Sequence, residues 1–180
     1  GTALNAEIAG AQMIENMARI PADAESASEF RYRNPVIEQD VLYVAVSQSG
    51  ETADTLAAVM EIKRKGGKVL AVVNVVGSTI ARECDGIYMH AGPEVSVAST
   101  KVFTSMLVSF ALLGLNLGRV RDMSPAEGQR VIEGMKGLPG AVSDVLALEP
   151  QIAAIAEKYK DYSSMFFIPS CSSCSSSLAA

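Results

Sequence analysis

The sequence predicts an α/β fold in which helices cover both faces of a parallel sheet. Two apolar runs, residues 41–46 and 68–74, are too short for helices and have the β-branched content of buried strands. A helical pattern follows each run, and a third short run at 87–89 predicts another strand. Strands that alternate with helices at this spacing form parallel sheets, in which ligands bind at the carboxyl ends of the strands.

The chain before the first of these strands predicts a helix and a surface segment. Residues 4–19 place apolar side chains on one side of a helix, which a proline ends. Residues 22–27 alternate small apolar and acidic residues, a weak strand pattern. Residues 28–35 are charged and aromatic and turn at Asn-Pro. We expect Arg31 and Arg33 in this segment to be solvated or paired with nearby carboxylates.

The chain after the third strand predicts mostly helices. The apolar stretch 102–117 contains Thr, Ser and Asn and falls short of the roughly 20 apolar residues of a membrane span, so it predicts a helix buried against the sheet. Two helices are expected over 125–148, because glycines and a Pro-Gly pair interrupt the pattern, and another over 150–159. A last strand is expected at 165–168, followed by a serine-rich tail at 169–180.

Composition and charge limit the functions that need to be considered. The 180 residues are 49% hydrophobic and 19% charged, as in a single globular domain. A formal net charge of -5 argues against nucleic acid as a partner. No secretory signal or membrane span is visible, and three cysteines without a histidine cluster predict neither a disulfide framework nor a zinc site. We expect a cytoplasmic protein that uses no membrane, metal or cofactor.

One turn of the sequence has the residue pattern of an anion-binding site. Residues 47–52, Ser-Gln-Ser-Gly-Glu-Thr, follow the first predicted strand and lead into a helix. The first N–H groups of such a helix are unpaired and lie at the positive end of its dipole, and the side chains of Ser47, Gln48, Ser49 and Thr52 add donors. The turn lacks the Gly-Lys-Ser/Thr ending of a Walker loop, which favours a small phosphorylated ligand over a nucleotide. A simpler interpretation stays open, in which a hydroxyl of the turn only caps the helix.

A second candidate segment is the long connection after the third strand. Ser99 or Thr100 either caps the apolar helix that follows or adds hydroxyls that face the ligand. His90 is the only histidine and is expected to be a loop residue rather than a base. Glu94 and Lys101 are expected to hold the loop together as charges near helix ends.

The turn at 47–55 resembles the signature of sugar isomerase (SIS) domains. Four more motifs are Arg31-Tyr32-Arg33-Asn34-Pro35, 73–78, 90–94 and 97–101. Together they resemble the first SIS domain of the isomerising glutamine–fructose-6-phosphate transaminases, the glucosamine-6-phosphate synthase family. The resemblance covers residues 1–168, which we treat as the SIS domain, and leaves out the tail at 169–180.

The resemblance implies a three-layer α/β/α sandwich around a five-stranded parallel sheet with a flavodoxin-like order. Enzymes of this family convert fructose 6-phosphate and glutamine to glucosamine 6-phosphate and glutamate. By the same resemblance, the sugar lies near Ser99, the backbone at Val97, and Thr2. The sugar phosphate itself is held by four side chains of the turn, Ser47, Gln48, Ser49 and Thr52.

Two departures from the family pattern concern the ligand and the activity. Ala3 stands where the family has a serine, so about one hydrogen bond's worth of affinity, about 0.5–1.5 kcal/mol, should be missing. The glutaminase domain and the second SIS domain, which carries the residues for ring opening and proton transfer, do not occur within the 180 residues. We therefore expect a fragment of the synthase that binds a hexose 6-phosphate, forms a homodimer and cannot turn over alone.

Two other functions stay open at this point. SIS domains also serve as sugar-phosphate sensors fused to DNA-binding domains, although no helix-turn-helix pattern or basic patch is present here. A free-standing phosphosugar isomerase would need a catalytic acid or base, for which Glu94 and His90 are the candidates.

Overall fold

The computed structural model describes residues 1–89, 91–93 and 100–166, and the chain divides into two compact units at residue 124. The first unit contains helices and strands in alternation. Its helices are α1 (Thr2–Ala18), α2 (Ala27–Tyr32), α3 (Ala53–Arg64), α4 (Thr79–Glu83) and α5 (Thr100–Val120). Its strands are β1 (Leu42–Ser47), β2 (Lys68–Val73) and β3 (Asp85–Tyr88).

The three strands form one parallel sheet in the order β1-β2-β3, which confirms the predicted α/β class. In this register Ser47 lies opposite Val73, and Val73 lies opposite Tyr88, so the carboxyl ends of the strands share one edge. The described residues supply three of the five strands that the family resemblance implies.

Alternate residues of the strands belong to two different apolar clusters, one on each face of the sheet. Val46 and Val72 are buried in a cluster with side chains of α1 and α5, such as Met13 and Phe110. The other cluster is built from β2, α3 and α4 and contains Ala71, Val73, Val59 and Ile80. Because successive strand residues point to opposite faces, both faces of β2 are buried, which explains its uninterrupted apolar sequence.

Helices α1 and α5 pack closely through glycines. A Cβ atom at Gly10 would lie 2.4 Å from the Phe110 ring, and one at Gly118 would lie 2.5 Å from the carbonyl oxygen of Met17. Side chains larger than hydrogen would therefore push the helices apart. This contact between α1 and α5 forms much of the first cluster, because Ala6 and Met13 of α1 and Phe110 of α5 are all members of that cluster.

Helix α5 is longer than predicted, with 21 residues. By length and composition alone it could cross a membrane, a criterion that the core helix of a soluble protein also meets. Three of its hydroxyls are satisfied within the helix, since Thr104, Ser105 and Ser109 each donate to the carbonyl four residues earlier. Its apolar residues Val102, Met106 and Phe110 are buried in the first cluster, as predicted for a helix against the sheet.

The predicted strand at 22–27 is wrong. Residues 22–26 have no regular structure, and α2 begins at Ala27. The acidic side chains of this segment bond locally instead of alternating across a sheet. Asp23 accepts the N–H of Ala24, and Glu25 binds the guanidinium of Arg33 at 2.6 and 2.7 Å.

The second unit contains two described helices, α6 (Pro125–Leu146) and α7 (Glu149–Tyr159). The predicted break between 125 and 148 is wrong, because α6 continues through Pro139. A glycine ends a helix when it adopts a left-handed conformation, and none of the glycines of α6 has a positive φ. Met165 and Phe166 are not in a strand, and the rest of the predicted strand and the tail lie outside the described residues.

Candidate anion site at the end of β1

The turn between β1 and α3 places its hydroxyls in contact. The Ser47 Oγ lies 2.9 Å from the Thr52 Oγ1 and accepts the N–H of Gly50 at 3.0 Å. Gly50 has a φ of 67°, which lets the chain reverse direction there. Ser47 is only 3% exposed, so its orientation is fixed by packing as well as by these bonds. Two hydroxyls that bond to each other use one proton, so the second proton is free for a ligand.

The capping interpretation of the turn is wrong. Thr52 is the N-cap residue of α3, but its side chain makes no capping hydrogen bond and contacts Ser47 instead. The Ser49 Oγ accepts the N–H of Glu51 at 3.2 Å, a bond within the turn. Among the described residues, no side chain caps the first turn of α3, and its N–H groups therefore remain available at the positive end of the helix dipole.

A cavity of about 240 Å³ lies at this helix terminus. It brings together Thr2, Ser47, Gln48 and Thr52, four residues that the sequence predicts to bind a sugar phosphate. The other described lining residues are Gly1 and residues of α1, β1, α3 and α5, and none has a charged side chain: Gly1, Ala3, Val46, Thr55, Val102 and Met106. The cavity therefore combines hydroxyl and amide donors with apolar walls and no competing negative charge.

The other predicted residues fall into two groups. Ser49 belongs to the turn but is not among the described residues around the cavity. Val97, Ser99, His90 and Glu94 lie outside the described residues.

Polar groups near the loop after β3 bond to one another. The Lys101 Nζ donates to the carbonyl of Pro93 at 2.7 Å, in agreement with the predicted loop-holding role of Lys101. The side chain of Asn74 accepts the N–H of Ala91 and donates to the carbonyl of Gly92, which joins the end of β2 to the segment after β3. A larger cavity of about 470 Å³ lies here, but Asn74 is the only described lining residue with a polar side chain, and its amide is already bonded.

The two arginines of the 28–35 segment pair with carboxylates, as predicted. Arg31 lies 3.0 Å from Asp54, which is in the first turn of α3, and Arg33 binds Glu25. The first pair matters for the site because it balances the one acidic side chain in the first turn of α3. The negative charge of Asp54 therefore does not cancel the positive end of the helix dipole.

Two residues in or beside the site are not among those predicted from the sequence. Thr55 lines the cavity, and its spacing of three from Thr52 on a helix is the signal that indicates it. Glu51 is an acidic residue inside a turn suited to anions, a combination that requires a partner for the carboxylate outside the turn. Its Oε1 accepts the N–H of Thr79 at 2.7 Å, and this bond lowers the pKa of the Glu51 carboxyl.

Potential metal ligands do not gather elsewhere in the described part of the chain. No group of three or more His, Cys, Asp or Glu side chains could hold a metal ion there. Cys84 is partly buried, and burial raises the pKa of its thiol.

An open parallel sheet with a hydroxyl-lined turn at the carboxyl end of a strand is typical of domains that bind phosphorylated ligands. The SIS domain model matches residues 6–115, and the chain belongs to this family.

The similar curated proteins are longer enzymes. Over 170 residues, 93% of its length, the chain is 46% identical to the glutamine–fructose-6-phosphate aminotransferase (isomerizing) of Symbiobacterium thermophilum. It has the same identity to that of Thermus thermophilus. The alignments cover 28% of each relative, so the chain spans less than a third of their length.

A solved structure agrees with these relatives. The C-terminal domain of glucosamine-fructose-6-phosphate aminotransferase from Francisella tularensis superposes with a TM-score of 0.86 and 35% sequence identity. The match covers 89% of this chain and 46% of that one. These likenesses do not favour the sensor function, because the similar proteins are named as aminotransferases.

Proposed function

We propose that the cavity at the end of β1 binds the phosphate of a hexose 6-phosphate. The observation that carries this proposal is the contact between Ser47 and Thr52 beside the uncapped first turn of α3. We infer further that the chain is the first SIS domain of a glucosamine-6-phosphate synthase. The names of its relatives, glutamine–fructose-6-phosphate aminotransferases, support fructose 6-phosphate as the ligand.

The chemistry of the cavity suits a phosphate monoester. The dipole of α3 contributes partial positive charge, and the uncapped first turn of α3 lies at the helix end where Thr52 lines the cavity. Ser47 and Thr52 supply one free hydroxyl proton between them, and Gln48 and Thr2 supply further donors. The apolar side chains Val46, Val102 and Met106 lower the local polarity, which strengthens each hydrogen bond to the anion.

The rest of the reaction belongs to parts of the synthase beyond these residues. The complete enzyme converts fructose 6-phosphate and glutamine to glucosamine 6-phosphate and glutamate, using a glutaminase domain and a second SIS domain. None of the described side chains that line the cavity is a titratable acid or base. Because proton transfer needs such a group within hydrogen-bond reach of the sugar, this chain should bind the substrate and not convert it.

Further features belong to the same proposal. The sheet is completed to five strands in a flavodoxin-like α/β/α sandwich, and the SIS domains pair as a homodimer. Val97 and Ser99, which lie outside the described residues, contact the sugar. The protein works in the cytoplasm on amino sugar synthesis, because a charged sugar phosphate does not pass a hydrocarbon layer unaided.

Calorimetric titration tests the phosphate site. Wild-type chain should bind fructose 6-phosphate and should not bind fructose measurably under the same conditions. Ser47→Ala and Thr52→Val should each weaken binding by about 10- to 100-fold, the usual effect of losing a hydrogen bond to a charged group. Ser143→Ala, which removes a hydroxyl from α6 in the other unit, is the matched control and should leave the affinity unchanged.

Two outcomes would overturn the proposal. Equal affinity for fructose and fructose 6-phosphate would mean that the cavity does not recognise the phosphate. Formation of glucosamine 6-phosphate from fructose 6-phosphate with glutamine or ammonia, by a preparation of this chain free of other enzymes, would contradict its assignment as a binding fragment.

A further inference from the structure

The start of α4 is attached to the anion-site turn by a set of contacts. The N–H of Ile80 donates to the carbonyl of Gly50 at 3.0 Å, and the N–H of Thr79 donates to the Glu51 Oε1 at 2.7 Å. The Ser78 side chain packs closely against Gly50. A Cβ atom added at Gly50 would lie 2.0 Å from the Ser78 Oγ. The turn is therefore held by a neighbouring segment of the sheet edge, not by its own bonds alone.

We propose that Glu51 is a positioning residue for the anion site, and that it acts through the hydrogen bond from the Thr79 N–H to its carboxylate oxygen. This inference rests on the proposed phosphate-binding function. The bond joins residue 51 to residue 79 and spans the gap between the loops after β1 and β2. It fixes the backbone between Ser47 and Thr52, and thereby the direction of the hydroxyls at its two ends.

The direction of the carboxylate explains why an anion site tolerates an acidic residue. A carboxylate that faced the cavity would repel a phosphate. Glu51 is not among the described lining residues, and its oxygen bonds to the N–H of Thr79 instead. Arg82, one turn further along α4, binds the carbonyl of Gly77 and the Thr79 hydroxyl and adds positive charge on the same side.

The buried hydroxyl of Ser78 is consistent with this role for the segment. Ser78 is 3% exposed, and its Oγ has no hydrogen-bond partner among the described residues. A buried hydroxyl without a partner costs stability, so its position is not explained by local bonding. Its close contact with Gly50 places the Ser78 side chain in the packing between the start of α4 and the turn.

Two substitutions at Glu51 separate the hydrogen bond from the charge. Glu51→Gln keeps an oxygen that can accept the Thr79 N–H and removes the charge, whereas Glu51→Ala removes both. We expect Glu51→Ala to weaken binding of fructose 6-phosphate by about three- to tenfold and Glu51→Gln to bind like wild type. Glu61→Ala, which removes a hydrogen-bonded surface carboxylate at the far end of α3, is the matched control and should not change the affinity.

Amide hydrogen exchange without ligand provides a second measurement. Glu51→Ala should speed exchange at the amides of Gly50, Thr79 and Ile80, while Glu51→Gln and Glu61→Ala should not. If wild type does not bind fructose 6-phosphate but this exchange pattern holds, the proposed function fails and the positioning of the turn stands. If Glu51→Ala leaves both exchange and affinity unchanged, or if Glu51→Gln is as damaging as Glu51→Ala, the positioning role is wrong.

Discussion

Replacement of Gly50 by alanine tests how tightly the anion-site turn is packed. Gly50 has a φ of 67°, and its added Cβ would lie 2.0 Å from the Ser78 Oγ and 2.5 Å from the Ser78 Cβ. The Ser78 Cβ is fixed to the backbone, so α4 or the turn must move. Gly77 is a matched control, because its φ is 79° but nothing lies within 4 Å of an added Cβ.

The two variants differ by the packing contribution alone. An alanine at positive φ costs about 1–2 kcal/mol, and this cost should be the whole effect of Gly77→Ala. Overpacking adds about 1–3 kcal/mol, so Gly50→Ala should destabilise the chain by about 2–5 kcal/mol. Gly50→Ala should also abolish binding of fructose 6-phosphate, whereas Gly77→Ala should retain it.

Urea unfolding and calorimetric titration of both variants provide the measurements. A double variant, Gly50→Ala with Ser78→Gly, removes both clashing atoms and should recover much of the stability difference, which a double-mutant cycle would detect. Tight packing of the turn against Ser78 is wrong if Gly50→Ala is no less stable than Gly77→Ala, or if Gly50→Ala binds fructose 6-phosphate with wild-type affinity.

Four further predictions concern the cavity, the packing of α1 and α5, a glycine of α6 and a partly buried acid. Ala3→Ser should tighten binding of fructose 6-phosphate by about 2- to 10-fold in calorimetry, because Ala3 lines the cavity and a hydroxyl there adds a donor. Gly118→Ala should lower the free energy of unfolding by about 1–3 kcal/mol through its clash with the Met17 carbonyl. Gly134→Ala in α6, where nothing lies within 4 Å, should stabilise that helix by about 0.5–1 kcal/mol. Burial raises the pKa of Glu7 to about 7, so stability should fall as the pH rises from about 4.5 to 7, and Glu7→Gln should remove this dependence.

The direction of the pH dependence of stability at Glu7 follows from proton binding. Between the pKa of the unfolded chain and the higher pKa of the folded one, the folded state binds more protons, so raising the pH favours unfolding. The effect should be on the order of 2 kcal/mol after allowance for partial exposure. An equal slope of the free energy of unfolding against pH in wild type and Glu7→Gln would contradict this prediction.

Unchanged affinity in Ala3→Ser would count against Ala3 facing the phosphate. Equal changes in the free energy of unfolding for Gly118→Ala and Gly134→Ala would contradict the close packing of α1 and α5.

Local patterns predicted most of the first unit correctly. The alternation of short apolar runs with helical patterns gave the parallel sheet, and Lys68–Val73 is the clearest case because both of its faces are buried. The predictions failed where structure depends on hydrogen bonds or backbone conformations that the periodicity of apolar residues does not describe. Residues 22–26 bond locally through their acidic groups, and α6 continues through Pro139 with no positive φ at any of its glycines.

Residue order alone specifies the type of site: a strand that ends in hydroxyl and amide side chains at the start of a helix. How those side chains are used depends on the folded chain. It directs the Thr52 hydroxyl to Ser47 instead of the helix N–H groups, and it turns the Glu51 carboxylate toward Thr79. It also brings Thr2 and Val102 to the same cavity from opposite ends of the first unit. The physical reason is that residue type and spacing fix which groups can donate or accept, whereas the choice of partner depends on segments that are distant in sequence and meet only in the folded chain.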